Sequence, residues 1–422
     1  MHNPQSSPSR GCLLNERCVY MIFSLIAVAG LGMQAAEARD IDLSEAVILI
    51  AEEPYSKGEI VAAQMLREEV QKRTGLRWEI STQEEDLKPM IALASSTGNE
   101  LAGLTIPRRD GPDLPEAQEE GYRICVEPNR ESRSAVWILG ADARGILFGA
   151  GRLLRLLHWG PGQASLPDTT DIATSPAYPI RGHQLGYRAR ANSYDAWDAS
   201  AYEQYIRDLI LFGCNCIENI PFEDDQPSPH MRVLRDEMNR LLSKICDRYD
   251  LDYWVWTPVE FDLSDQAKRE AEIEKHVSLH RMCPRLDAVF VPGGDPGANP
   301  PELLLPFLED IGTRLTARHP DAKVWLSLQW FDDAQVDDVY QYINQHRPDW
   351  LGGLVAGPSS PPIPSRSTRK CSAGTSTRLK STPPAAVPSS MKRRSFSRMA
   401  RPMRQRPCCA PACAATTSVP RR

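Results

Sequence analysis

Leu286-Asp-Ala-Val-Phe-Val-Pro-Gly-Gly-Asp-Pro-Gly-Ala-Asn-Pro-Pro-Glu-Leu-Leu-Leu-Pro-Phe-Leu-Glu-Asp310 holds one complete strand, loop and helix start. Residues 286–291 are a short apolar run, the signature of a strand buried on both faces. A Gly- and Pro-rich turn follows, and Pro300 opens a helical pattern that lasts to residue 318. The same unit repeats on either side. Strands are predicted at 180–187, 215–220, 252–257, 286–291, 323–328 and 350–355, with helices at 201–212, 230–249, 265–280, 300–318 and 333–346. Ser200 and Glu203 read as a capping box for the first of these helices, and Gly213 ends it. Six strands alternating with five helices at roughly 35-residue spacing predict a parallel sheet, and the short connections favour a closed barrel over a doubly wound sheet. The expected architecture of residues 176–356 is therefore a partial (β/α)8 TIM-type barrel, lacking its seventh and eighth units.

Upstream, residues 39–165 alternate differently. Strands are predicted at 46–50, 76–80, 89–94, 122–126 and 135–139. A helix at 58–73 places Val61, Met65, Leu66 and Val70 on one face, and an apolar helix at 142–157 carries Gly145, Gly149 and Gly151. Because those glycines fall inside a helical pattern and not between a strand and a helix, a dinucleotide loop is disfavoured and close packing on a sheet is expected. The fold class is α/β: an N-terminal α/β sandwich domain, then the incomplete barrel.

The chain of 422 residues carries 49 Lys and Arg against 55 Asp and Glu, with 41% hydrophobic and 25% charged residues, values that exclude wholesale disorder and a polytopic membrane protein. The average conceals a break. Residues 357–422 contain 14 basic side chains, 11 Pro, 12 Ser and no acid, which leaves a net charge of −20 on the first 356. A change of reading frame in a GC-rich gene accounts for such a run; a disordered basic tail and a nucleic-acid-binding arm are the alternatives, the last disfavoured by the presence of one aromatic, Phe396. No packed structure is expected there, and no nucleic-acid partner. At the other end, the 13 apolar residues 21–33 follow Arg10 and Arg17 and precede Ala36-Glu37-Ala38. This is the pattern of an export signal over residues 1–38, with Met21 as an alternative start, cleavage near Ala38, a secreted or periplasmic product and no membrane association afterwards.

Between these ends lie five cysteines, Cys125, Cys214, Cys216, Cys246 and Cys283, an odd number at irregular spacing that predicts buried free thiols, not a disulfide framework. Cys214-Asn-Cys216 falls in a predicted strand, and two thiols with no further ligand beside them do not make a metal site. His276 and His280 stand one helical turn apart, but Val277 occupies the place of the glutamate that a zinc-protease pattern needs, so a solvated helix face is expected. No metal site and no cofactor are expected.

In β/α barrels, chemistry gathers at the carboxyl ends of the strands. The sequence puts His183, Gln184, Tyr187 and Arg188 after the first strand, Glu218, Asn219, Glu223 and Asp224 after the second, and Trp256 and Glu260 after the third. Asp295 lies in the glycine-rich turn after the fourth; Gln329, Trp330 and Asp332 follow the fifth, with Asp332 also placed to cap the next helix. Carboxylates, amides and indoles on one rim suit carbohydrate: indoles stack on sugar faces, amides bind hydroxyls, and two carboxyls move the protons of glycosidic cleavage.

The run Ala143-Arg-Gly-Ile-Leu-Phe-Gly-Ala-Gly-Arg-Leu-Leu-Arg155, followed by Pro179-Ile-Arg-Gly182 at the barrel's opening, resembles the two-domain glycoside hydrolases of the β-hexosaminidase and α-glucuronidase type. The resemblance covers about residues 40–356. It implies a non-catalytic α/β domain before a (β/α)8 barrel, a sugar-binding role for Arg181, and a match of Gly293-Gly294-Asp295 to the hexosaminidase Gly-Gly-Asp-Glu motif. The general acid of that motif is replaced here by Pro296. The expected catalytic set is Asp295 with Glu218 and Glu260, and the expected substrate-binding set is Arg181, His183, Gln184, Tyr187, Trp256, Gln329 and Trp330. An exported hydrolase of poly- or oligosaccharides, uronic-acid-bearing ones among them, is the expected function. A carbohydrate-binding protein without catalysis is the competing one.

Overall fold

Val47-Ile-Leu49, too short and too apolar to be amphipathic, is the first of many segments that find shelter only as a strand covered on both sides. The computed structural model describes residues 39–355, apart from 53–55, 86–87, 112, 129–133, 188–193, 222–228 and 295–296. Its strands are, in order, β1 (Asp40–Asp42), β2 (Val47–Leu49), β3 (Glu79–Ser81), β4 (Met90–Ser95), β5 (Glu100–Leu101), β6 (Leu104–Thr105), β7 (Tyr122–Pro128), β8 (Ser134–Gly140), β9 (His158–Gly160), β10 (Gln163–Pro167), β11 (Asp171–Thr174), β12 (Gly182–Gln184), β13 (Cys216–Asn219), β14 (Asp252–Trp256), β15 (Ala288–Val291), β16 (Lys323–Ser327) and β17 (Leu351–Val355). The helices are α1 (Lys57–Thr74), α2 (Ala143–Leu156), α3 (Ala199–Leu211), α4 (Arg235–Arg248), α5 (Gln266–Met282), α6 (Pro301–Arg318) and α7 (Asp333–His346).

The first sheet runs β11-β7-β8-β4-β2-β3. Its inner four strands alternate cleanly: Ile48, Ile91, Leu93, Val136 and Ile138 pack beneath α1 and α2, whereas Leu49, Ala92, Ala94, Trp137 and Leu139 form a second apolar layer on the other face. Burying each of the Ile, Leu and Val side chains among them contributes about 1.5–3 kcal/mol, so register is fixed by both faces at once. The predicted face of α1 is as expected, with Val61, Met65, Leu66 and Val70 all buried. Strand β11, an Asp-Ile-Ala-Thr segment without alternation of large apolar residues, pairs antiparallel with β7 and extends the sheet past residue 165. The glycines of α2 serve two surfaces. A Cβ at Gly149 would come within 2.5 Å of Ile138 in the sheet, and one at Gly151 within 3.0 Å of Leu211 on α3.

The second sheet is parallel throughout, its strands in sequence order from β12 to β17. Right-handed crossovers between strands in such an order put every helix on the same face, and consecutive helices from α3 to α7 do pack on one another. Ile217, Tyr253, Val255, Val289, Val324 and Leu326 point to that helical layer and are fully buried. Among the described residues the opposite face carries no helix.

Four local expectations are corrected. Helix α3 is capped by Asp198, whose carboxylate accepts from Ala201 N–H at 2.9 Å and from the Ser200 hydroxyl at 2.7 Å; Glu203 instead holds Arg248 and the Tyr249 hydroxyl. Helix α4 starts at Arg235, five residues later than the pattern suggests. Cys214 lies before β13, its thiol turned to the Cys216 carbonyl. His276 and His280 are not solvated: both are about 1% exposed on the inner face of α5, and burial lowers their pKa values to about 3 and about 4. The five cysteines are free and buried.

Candidate functional site

The strand ends of the second sheet present two chemically different rims. At the amino ends, charged side chains are consumed in ion pairs. Arg285 holds Asp250, Asp252 and Asp287 at 2.7, 3.1 and 2.8 Å, and Arg144 of the first domain reaches Asp252 at 2.6 Å. Arg181 belongs to this rim because it precedes β12. Its guanidinium donates to the Gly213 and Tyr178 carbonyls at 2.6 and 2.8 Å and pairs with Glu120 at 2.5 Å. The sequence expectation for Arg181 is a sugar contact; in the structure its side chain links the segment before β12 to Glu120, just ahead of β7.

At the carboxyl ends and on the helix-free face, other candidates do converge. Gln184 and Glu218 are register partners on β12 and β13, and the Gln184 amide donates to the Glu218 carboxylate at 2.6 Å. Trp254 stands in register with Glu218 on β14, and Trp256 continues the same face one pleat further on. Trp254 and Trp325 bring their ring centroids to 5.0 Å. The Trp325 indole also lies across β17, where a Cβ at Gly353 would sit 2.6 Å from it. The face is thus a half-exposed strip of Gln184, Glu218, Trp254, Trp256, Phe290 and Trp325. Burial pushes the Glu218 carboxyl up to about 7, against the lowering pull of the Gln184 amide. A carboxyl poised there exchanges protons near neutrality, as a general acid or base must.

Asp295 and Pro296 lie outside the described residues, as do Arg188, Glu223 and Asp224. The turn on either side of Asp295 is held from both flanks. Gly294 N–H donates to the Gln329 carbonyl at 3.0 Å. Asn299 donates to the Phe261 carbonyl at 2.8 Å and accepts from Leu263 N–H at 2.9 Å. Gly297, at φ +107°, lies so close to Val259 that a Cβ would stand 1.8 Å from its carbonyl oxygen. These contacts join the loops after β14, β15 and β16 into one rim. Trp330 is on it, 67% exposed and with a left-handed backbone of φ +62°. A bulky residue in that conformation is strained, and such strain concentrates at functional positions. Gln329 is half-buried beside it, and Glu260 is exposed on the loop after β14.

The remaining candidates are occupied structurally. Tyr187 is buried, its hydroxyl bonded to both the carbonyl and the N–H of Val233. His183 faces the Tyr205 hydroxyl at 3.1 Å. Asp332 caps α7 in a reciprocal box with Gln335. Two aromatic residues, Trp254 and Trp325, escape the sequence reading, although Trp-Val-Trp on β14 announces two indoles on one face by its period of two. Among the described residues no group of His, Cys, Asp and Glu has the arrangement to hold a metal ion.

Residues 32–171 match the family model for glycosyl hydrolase family 20, domain 2. The chain resembles a glycoside hydrolase of the hexosaminidase and glucuronidase type. Among solved structures it is similar to a chitobiase from Flavobacterium johnsoniae, with 13% identity and a TM-score of 0.50 over 76% of this chain and 57% of that one. A family 20 exo-β-N-acetylglucosaminidase from Vibrio harveyi gives 13% identity and 0.49, covering 69% and 53%. A family 115 4-O-methyl-α-glucuronidase gives 10% and 0.46, covering 72% and 44%. The chain thus spans about half the length of these structures, and at such identities the likeness is one of fold. No curated protein sequence matches.

Proposed function

We propose that this chain derives from an exported glycoside hydrolase, its second sheet supplying six of the eight units of a (β/α)8 barrel whose interior is the helix-free face. The observation that carries the reading is the Glu218 carboxyl, raised to about 7, hydrogen-bonded to an amide and ranged with indoles on one sheet face. Glu218 is the proton-exchanging carboxyl in this scheme. Asp295, in the segment that follows β15 in sequence, is its proposed partner as general acid or as a carboxylate orienting the sugar. Trp256 and Trp330 offer stacking surfaces, Gln184 and Gln329 offer amides for hydroxyls, and Glu260 is the reserve carboxylate. Carbohydrate is the substrate; no cofactor takes part.

A panel of aryl glycosides that includes N-acetylglucosaminides and uronides tests the reading. Turnover that disappears in both Glu218→Gln and Asp295→Asn is the expected result, and turnover indifferent to both changes refutes the assignment. Pro296, standing where the hexosaminidases have their acid, favours a second reading: carbohydrate binding without hydrolysis. Saturable sugar binding with no turnover would decide for it. Export predicts a secreted product beginning near Arg39, which N-terminal sequencing checks.

A further inference from the structure

On α2, Phe148, Arg152 and Arg155 recur at intervals of four and three residues and therefore share one face. That face lines an open cleft of about 500 Å³ at the junction of the two domains, completed by Tyr122, the segment 172–176, Arg181 and Leu211–Gly213. The cleft is at the amino ends of the second sheet's strands, the rim opposite Glu218 and Trp330.

Its chemistry is unlike that of the surrounding chain. Three guanidiniums and one carboxylate line it, in a protein whose first 356 residues carry a net charge of −20. That carboxylate, Glu120, is already committed to Arg144, Arg181 and the Asn215 amide. Arg155 lies over the ring of Phe212 at 4.4 Å and donates one bond to the Leu211 carbonyl, and Arg181 lies over Phe148 at 5.3 Å. Arg152 has no ion pair or hydrogen-bond partner among the described residues and is half-buried. Phe212 is 72% exposed, a large apolar ring kept at the cleft mouth beneath a cation. A guanidinium fork left open, next to a presented ring face, matches a planar anion attached to a body with an apolar face.

We propose that this junction cleft binds an anionic sugar, one bearing a carboxylate or a sulfate, with Arg152 forking the anion and Phe212 under the sugar ring. The proposal rests on the reading of the chain as a carbohydrate-acting protein. It adds a second site to it, distant from the cleaving face, that would hold a charged polysaccharide while another part of the same chain reaches Glu218.

The test is calorimetric titration of the full chain with three probes: a glucuronate-terminated disaccharide, its neutral glucose counterpart, and inorganic sulfate. The acidic disaccharide should bind saturably. Arg152→Gln should weaken it about ten- to hundredfold, the worth of a charged bidentate contact. Phe212→Ser, at an exposed position that leaves the fold intact, should weaken it several-fold. The Glu218→Gln variant should bind as the unmodified chain does. Equal binding of the neutral sugar, sulfate binding as tight as the disaccharide, indifference to Arg152→Gln, or absence of binding each overturns the proposal, and loss of binding in Glu218→Gln relocates the site and does the same. Failure of the aryl-glycoside panel with junction binding intact would sink the hydrolase reading and leave this one standing.

Discussion

Glu120 is the residue on which the joint between the two domains turns, and Glu120→Gln is the perturbation that measures it. The side chain is 7% exposed and accepts from Arg144 at 3.1 Å, Arg181 at 2.5 Å and Asn215 at 3.0 Å. The amide keeps the shape but removes the charge and turns an NH2 toward two guanidiniums. Arg144 retains Asp252, so its loss is partial. Arg181 loses its one carboxylate and keeps two carbonyls. Breaking a buried ion pair costs about 3–5 kcal/mol; with Arg181 21% exposed and able to recover some hydration, the expected loss is about 2–3 kcal/mol. Urea denaturation followed by far-ultraviolet dichroism and tryptophan fluorescence reads it. Because the residue joins domains, the variant should also separate two transitions that coincide in the parent. A double-mutant cycle with Arg181→Met isolates the pair, with a coupling of at least about 1 kcal/mol expected. A loss below about 0.5 kcal/mol in Glu120→Gln, or no coupling to Arg181, would refute the claim that Arg181 serves the joint.

Three further outcomes follow from the site and its support. Glu218 has a folded-state pKa raised to about 7 from an ordinary 4.5, so its contribution to stability is full below pH 4.5 and is lost as pH rises through 7; Glu218→Gln should flatten that limb of the stability profile, and NMR titration should find a midpoint near 7 that the variant lacks. His276 and His280 have pKa values lowered to about 3 and about 4, so the stability of keeping them neutral is present above pH 6.5 and declines as pH falls toward those values; His276→Leu should make the acid limb shallower in pH-dependent urea melts. Gly297→Ala puts a Cβ 1.8 Å from the Val259 carbonyl at a φ of +107° and should cost more than about 2 kcal/mol or displace the turn carrying Asp295, seen as lowered thermal stability together with loss of any activity dependent on Asp295.

The alternation of strand and helix was legible because each element carries its period in its own residues. Val289, Val291, Val324 and Leu326 read as strand for the same reason that they are buried. Capping was less legible. Asp198 and Ser200 are both competent caps two residues apart, and the choice went to the one whose carboxylate reaches Ala201 N–H while also accepting from the other. The two histidines of α5 were misplaced because that helix is charged nearly all round. Yet Ile273, His276, Leu279 and His280 fall on one stripe, and the two apolar members mark it as the inner one.

The contacts of Arg181 have a more general cause, because position along a strand is as informative as residue type. In a parallel sheet the carboxyl ends share one rim and the amino ends share the other. Arg181, Asp252, Asp287 and Lys323 each stand at or before the start of a strand, and their charges are spent on Glu120, Arg144, Arg285 and the Asp349 carbonyl. Glu218, Trp256, Gln329 and Trp330 stand toward or beyond the ends, and the carboxyl among them meets an amide, not a cation. That difference is the one that matters for proton transfer. A guanidinium partner lowers a carboxyl's affinity for protons, whereas burial against a neutral amide raises it into the range where a proton can be both held and released. The rim order of the strands, readable from the sequence, separates the arginine that ties the domains from the glutamate that can exchange a proton.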